Sequence, residues 1–221
     1  MAIEAIIWDF GGVFTTSPFE AFNRYEAQAG LPKDLIRTIN ATNPDDNAWA
    51  LFERAEIDRR GFDLKFLEES TALGHPVRGA DVLTLLSGDV RPRMVRALEI
   101  CKQHFKVGCI TNNMAQGHGP GMASTAEGAS KAGSIMLMFD AIIESSKAGV
   151  RKPDPRIYQM MCELMAVAPG ACVYLDDLGV NCKPAAALGM KAIKVVTEAQ
   201  ALSDLEAATG LTFPEVVPQP A

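Results

Sequence analysis

Asp9 is followed by Phe10 and the glycine pair Gly11-Gly12, directly after the apolar run Ile3 to Trp8. Adjacent glycines let a backbone turn sharply and approach a bound group closely, so this segment presents a carboxylate at a tight turn. Three more polar groups stand at comparable exits from apolar runs. They are Thr111-Asn112-Asn113 after Ile110, Lys152 within Gly149-Val150-Arg151-Lys152-Pro153-Asp154-Pro155, and the acids Asp176-Asp177 after Cys172 to Leu175. Together they supply what phosphoryl transfer through a carboxylate needs. Asp9 can attack phosphorus, acidic groups can hold a cation that offsets carboxylate–phosphate repulsion, and Thr111 and Lys152 can hold phosphate oxygens. Mg²⁺ is the natural ion, because it takes one or two carboxylates and leaves other positions to water and substrate oxygen. Asp176 and Asp177 would repel each other unless a cation or lysine stood nearby.

Each element taken alone has a plainer explanation. Asp9 before two glycines is an ordinary turn former, Thr111-Asn112-Asn113 caps a loop, Lys152 is a solvated lysine, and adjacent acids suit the start of a helix. Their common placement at strand ends carries the argument, since an open parallel sheet binds ligands outside the carboxyl ends of its strands.

The elements that position them are expected to alternate. Strand-like runs at Ile3 to Trp8, Val107 to Ile110, Ala141 to Ile143, Cys172 to Leu175 and Ala192 to Val196 are separated, in the second half, by amphipathic helices. These helices are predicted at Arg93 to His104, Arg156 to Ala166 and Lys183 to Leu188, the last stopped by Gly189. That order predicts an α/β fold, a Rossmann-like doubly wound parallel sheet built from right-handed βαβ units. Between about Ser17 and Gly88 the pattern is helical throughout. Ser17-Pro18-Phe19-Glu20 reads as a capping box with proline at the first helical position. Further helices fit Lys33 to Asn40, Asn47 to Glu56, Asp63 to Leu73 and Ala80 to Leu86. The division expected is a core from residues 1–16 and 89–221, with 17–88 as a small α-helical cap; an ordinary helical layer on the sheet is the alternative. Gln116 to Gly133, rich in Gly, Ala and Ser, reads as a mobile loop followed by a weak helix, and Phe213 to Ala221 as an extended surface tail.

Composition narrows the classes of partner. A chain of 221 residues with 48% apolar content can bury a substantial core. With a formal charge of −6 and no run of Lys or Arg, it lacks the footprint of a nucleic-acid or anionic-membrane binder. No apolar run is long enough to cross a bilayer, and the N-terminus does not read as a signal peptide. Cys101, Cys109, Cys162, Cys172 and Cys182 form no C-x-x-C pair, so reduced thiols in the cytoplasm are expected. His75, His104 and His118 are scattered singly, which sets aside a histidine metal site. Oligomeric state is left open.

With the residues in view, the chain resembles the haloacid dehalogenase superfamily, whose motifs can be matched in order. Ile7-Trp8-Asp9-Phe10-Gly11-Gly12-Val13 resembles the first motif, Thr111-Asn112-Asn113 the second, Lys152-Pro153 the third and Leu175-Asp176-Asp177 the fourth. Phe139 to Gly189 is similar to the N-terminal phosphatase domain of soluble epoxide hydrolases, and still more to the related domains fused to acyl-CoA dehydrogenase modules. The resemblance implies Asp9 as nucleophile and metal ligand, Gly11 as a metal ligand through its carbonyl, and Asp177, supported by Asp176, completing a Mg²⁺ site. It implies that Thr111, Asn112 and Lys152 bind phosphate. One departure matters: the position of Gly11 is usually an aspartate that protonates the leaving oxygen and then activates water. A positioned acid or base contributes roughly 10² to 10⁴ in rate, so alkyl phosphates should turn over slowly unless another group substitutes. Glu53, Glu56 and Asp58 of the expected cap are candidates.

The expected function is thus Mg²⁺-dependent hydrolysis of a small phosphorylated metabolite through an aspartyl phosphate. Two alternatives stay open: a 2-haloacid-dehalogenase-type hydrolase, against which Asp176-Asp177 argues, and a phosphate-binding protein that lost turnover with the acid at position 11.

Overall fold

The computed structural model describes residues 2–113 and 126–214. Its centre is a five-stranded sheet of β1 (Ala5–Trp8), β2 (Lys106–Thr111), β3 (Ala141–Glu144), β4 (Cys172–Asp176) and β5 (Lys191–Lys194), in the order β3-β2-β1-β4-β5. All its pairings are parallel. β1 is central and all four of its side chains are buried, as expected of a strand covered on both faces. Alternate residues sort to opposite layers. Ile6 and Trp8 join Val107, Cys109, Val173 and Leu175 in one core, while Ala5 and Ile7 join Ile110, Ile143 and Tyr174 in the other.

Helices α6 (Pro92–Cys101), α7 (Ala126–Met136) and α11 (Glu198–Thr209) contribute buried residues to the first layer; α9 (Pro155–Met165) and α10 (Gly179–Ala187) contribute to the second. A single turn, α8 (Ser145–Ala148), follows β3. The doubly wound α/β arrangement predicted from the alternation is therefore present.

Before α6 come α1 (Pro18–Gln28), α2 (Leu35–Ala41), α3 (Ala48–Glu53), α4 (Arg59–Ala72) and α5 (Gly79–Thr84). They gather around an apolar cluster of their own, including Phe22, Ile36, Ile39, Trp49, Phe52, Phe62 and Phe66. The aromatic rings of Phe52 and Phe62 stack at a centroid separation of 4.9 Å. The chain enters and leaves this bundle side by side: Thr15 bridges Val90, Thr16 N–H donates to Asp89 O, and Arg91 N–H donates to Phe14 O.

Several predicted boundaries move for local reasons. α4 starts at Arg59, earlier than expected, because Asp58 caps it by accepting from Gly61 N–H at 2.7 Å. α10 begins at Gly179 and carries Pro184 inside it, whereas composition alone suggested a start beside that proline. α1 does start at Pro18, but Ser17 makes no side-chain cap, so the predicted capping box does not form. The helix predicted within Gln116 to Gly133 is observed as α7. The loop before it, from Gln116, lies outside the described residues, as do His118 and the tail beyond Pro214.

Candidate active site

The site lies where β1, β2 and β4 end. Asp9 N–H donates to Leu175 O at 2.8 Å, extending the β1–β4 pairing by one residue and setting Asp9 beside Asp176. Thr111 is the last residue of β2, two places beyond Cys109, the partner of Trp8 in β1. Strand register thus brings residues a hundred positions apart to one edge.

Lys152 joins them from the connection between α8 and α9. Its ammonium is 2.7 Å from Asp9 Oδ1 and 2.8 Å from Asp176 Oδ2, with the side chain 1% exposed. The explanation of Lys152 as a solvated surface residue is thereby removed. Burial works against its charge, yet the carboxylates of Asp176 and Asp9 outweigh it and hold the Lys152 pKa above the ordinary lysine range.

Asp176, at 0% exposure, is the anchor of the cluster. Its Oδ1 accepts from Leu178 N–H at 2.8 Å and from Asn181 Nδ2 at 3.0 Å. Its Oδ2 accepts from Lys152, from the Tyr174 hydroxyl at 2.5 Å and from Asn181 at 3.1 Å. A carboxylate offers about four lone-pair sites, so Asp176 has little left for a ligand. Asp177 is more open, and Ser17 Oγ donates to its Oδ2 at 3.3 Å. The hydroxyl expected to cap α1 is instead directed at this acid.

Carboxylate oxygens of Asp9, Asp176 and Asp177 all lie within 4.8 Å of one another. Burial, together with the charges of Asp176 and Asp177, raises the Asp9 pKa well above the ordinary carboxylate range, against the pull of Lys152. Burial and the Asp176 charge push Asp177 up to about 6. One ammonium faces three carboxylates, leaving two negative charges uncompensated, the deficit that a divalent cation cancels. The residues present therefore fit a divalent metal.

Both glycines after Asp9 have readable environments. Gly12 adopts φ +74°, and a Cβ there would stand 2.2 Å from Asp177 Oδ2. A Cβ on Gly11 would meet nothing within 4 Å, so the position that lacks the expected acid faces open space.

Asn112 is placed differently from a simple phosphate ligand. Its amide clasps the main chain of Lys152, accepting from Lys152 N–H at 2.9 Å and donating to Lys152 O at 3.0 Å. The remaining N–H donates to Glu53 Oε2 of α3 at 3.2 Å. Asn113 and Ser145 continue the seam: Asn113 N–H donates to Ser145 Oγ at 3.0 Å, and that hydroxyl donates to Glu53 O at 2.8 Å. Arg151 completes it, with Nε 2.6 Å from Glu53 Oε2 and Nη1 donating to Pro44 O at 3.0 Å.

Tyr174, Asn181, Ser17, Ser145 and Arg151 were not singled out from sequence as site residues. Tyr174 carried a usable signal, because two residues before Asp176 on a strand means the same face. Asn181, Ser17 and Ser145 had none.

Comparison with known proteins agrees with the geometry. The family described as haloacid dehalogenase-like hydrolase matches residues 3–189. The chain belongs to that family and is one of its hydrolases. Among curated relatives it is 30% identical over 225 residues to acyl-CoA dehydrogenase family member 10 of Mus musculus, covering 97% of this chain and 20% of that protein. It is 35% identical over 226 residues to bifunctional epoxide hydrolase 2 of Sus scrofa, covering 96% and 40%. It is 27% identical to phosphatase MT3486 of Mycobacterium tuberculosis (strain CDC 1551 / Oshkosh), covering 88% of each. The chain thus spans well under half the length of the first two. A haloacid dehalogenase family enzyme of Bacteroides thetaiotaomicron, solved in complex with magnesium and inorganic phosphate, shares the fold with TM-score 0.57 at 17% identity, over 87% of this chain and 94% of that one. No described helix is long and apolar enough to cross a membrane.

Proposed function

We propose that this chain is a Mg²⁺-dependent phosphohydrolase that cleaves a small phosphorylated metabolite through an aspartyl phosphate on Asp9. The observation carrying the reading is the cluster of three carboxylates around one buried lysine at the carboxyl edge of the sheet. Asp9, the Gly11 carbonyl and Asp177 are the groups to hold the ion, with Asp176 supporting from behind. When bound, the metal supplies the positive charge that lets a carboxylate approach a phosphate dianion. Lys152 and Thr111 bind phosphate oxygens. Asn112, through its clasp on the Lys152 backbone, fixes where that ammonium points. Residues 1–16 and 89–221 form the catalytic core and 17–88 the cap that covers it, a division supported by the separate apolar cluster and by the bridge between Thr15 and Val90 where the chain crosses. Five free, buried cysteines suit a cytoplasmic setting.

The acidic cluster disfavours attack on carbon without a metal, because Lys152 alone offsets only one of its three carboxylates. Gly11 favours one rival, a phosphate-binding protein without turnover. The test is hydrolysis of an aryl phosphate with Mg²⁺, with EDTA, and by Asp9→Asn. Turnover that requires both Mg²⁺ and Asp9 is expected. Phosphate binding with no turnover by either protein would decide for the rival, and halide release from a 2-haloacid that survives EDTA for the dehalogenase type.

A further inference from the structure

The phosphohydrolase reading leaves a gap at position 11, where glycine supplies no proton donor and the space beside it is open. Three acids of the helical bundle were candidates to fill it, and the fold separates them. Glu56 pairs with Arg54 at 2.5 Å on the exposed side, and Asp58 spends its carboxylate capping α4. Glu53 alone among them reaches the core, at the seam of Asn112 and Arg151, where it also feels the charge of Lys152. It sits at the end of α3 with its side chain 14% exposed, and its Oε2 accepts from Asn112 Nδ2 and is ion-paired with Arg151.

On that basis we infer that Glu53 is the proton-transfer group of this enzyme, supplied by the cap in place of the acid missing at position 11. The inference rests on the phosphohydrolase reading above. In the first step an Asp9 oxygen bonds to phosphorus as the ester P–O bond breaks. The electron pair stays on the leaving oxygen, which takes the proton from the Glu53 carboxyl. In the second, the Glu53 carboxylate accepts a proton from water as the water oxygen bonds to phosphorus. The Asp9–phosphorus bond breaks, returning free Asp9, inorganic phosphate and protonated Glu53.

The surroundings of Glu53 suit both forms. Burial raises its pKa above the usual range, opposed by the charges of Arg151 and Lys152. Once the proton is delivered, Arg151 Nε and the Asn112 amide already stand within bonding distance of the carboxylate. Arg151 and Lys152 are the charged groups facing it from the core; on its own helix side, Arg54 is turned to Glu56. Ser145 bonds the Glu53 carbonyl, which ties this end of α3 to the core.

The test compares an alkyl phosphate with 4-nitrophenyl phosphate, whose leaving group needs little protonation. Glu53→Gln keeps an amide oxygen for Arg151. It is expected to lower kcat/KM for the alkyl ester by about 10²-fold or more, but for the nitrophenyl ester by less than about tenfold, and to abolish the alkaline fall in the pH profile. In a Gly11→Asp background the same change should cost less than about threefold, because the restored acid takes over. Arg151→Gln, which breaks the ion pair and leaves the acid, should keep the discrimination between leaving groups. Equal loss on both esters, an undiminished loss in the Gly11→Asp background, or loss of discrimination only with Arg151→Gln would reduce Glu53 to a tether of the cap. Wild type without Asp9-dependent turnover, beside an active Gly11→Asp, would remove Glu53 from the role and leave the phosphohydrolase scaffold standing. No turnover in either would end both readings.

Discussion

Replacing each of the adjacent glycines with alanine gives a sharp contrast, because the two sites differ in everything except sequence position. At Gly12 the backbone has φ +74°, where a Cβ costs an ordinary residue roughly 1–2 kcal/mol. The new methyl would also lie 2.2 Å from Asp177 Oδ2 and 2.4 Å from its Cγ, so the carboxylate must retreat by close to an ångström. Mg²⁺ demands near-ideal octahedral geometry, so displacing one ligand should weaken it at least about tenfold, or about 1.4 kcal/mol. At Gly11 the φ is ordinary and nothing lies within 4 Å of the added methyl. For a chain of this size each kcal/mol shifts melting by about 2–4 °C. Gly12→Ala should therefore melt roughly 2–8 °C below wild type without metal and respond weakly to Mg²⁺, while Gly11→Ala stays near wild type in both. Thermal melts with and without Mg²⁺, and calorimetric titration of the ion, measure this. Mg²⁺ binding by Gly12→Ala as tight as wild type would refute the assignment of Asp177 as a ligand held in place by that turn.

Lys152→Ala removes the shared counterion of Asp9 and Asp176, and should cost about 3–5 kcal/mol of stability as well as turnover; denaturant unfolding that shows less than about 1 kcal/mol of loss contradicts a buried structural charge. Asp9→Asn should be inactive, yet its metal-free form should melt no lower than wild type at pH 8. Burial, aided by Asp176 and Asp177, raises the Asp9 pKa, so its folding contribution is greatest when protonated and is lost as pH rises through the folded value. A clear drop in melting temperature at pH 8 would refute that sign. Mg²⁺ affinity should fall by at least about tenfold per unit as pH drops below 6, since the ion competes with protons on Asp177, pushed up to about 6, and on Asp9, also raised; an affinity flat from pH 5 to pH 7 is inconsistent with it.

Local chemistry wrote much of this protein into its sequence. Apolar runs closed by polar residues identified the five strands, and parallel pairing follows from the helices between them. Asp9, Thr111 and the Asp176-Asp177 pair stood out because a parallel sheet collects its strand ends at one edge, which converts order along the chain into proximity; Lys152, expected at such an end, instead reaches that edge from the connection between α8 and α9. The interval from Ser17 to Gly88 was legible as helices from its pattern, but not their exact starts, since the cap that Asp58 forms sets the beginning of α4 earlier than the pattern did. What the sequence could not rank was any choice between partners. Ser17 had the composition of a capping residue, and only the approach of Asp177 across the fold gave its hydroxyl another acceptor. Asp176 and Asp177 are chemically identical neighbours. One became a saturated anchor and the other an open acid because alternate positions at a strand end face different surroundings. Glu53 was one of three equivalent acids until the packing of α3 against the core put it alone beside Asn112 and Arg151. A side chain's type sets which bonds it can make; which it does make depends on distances across the fold, and those exist only once the chain has folded.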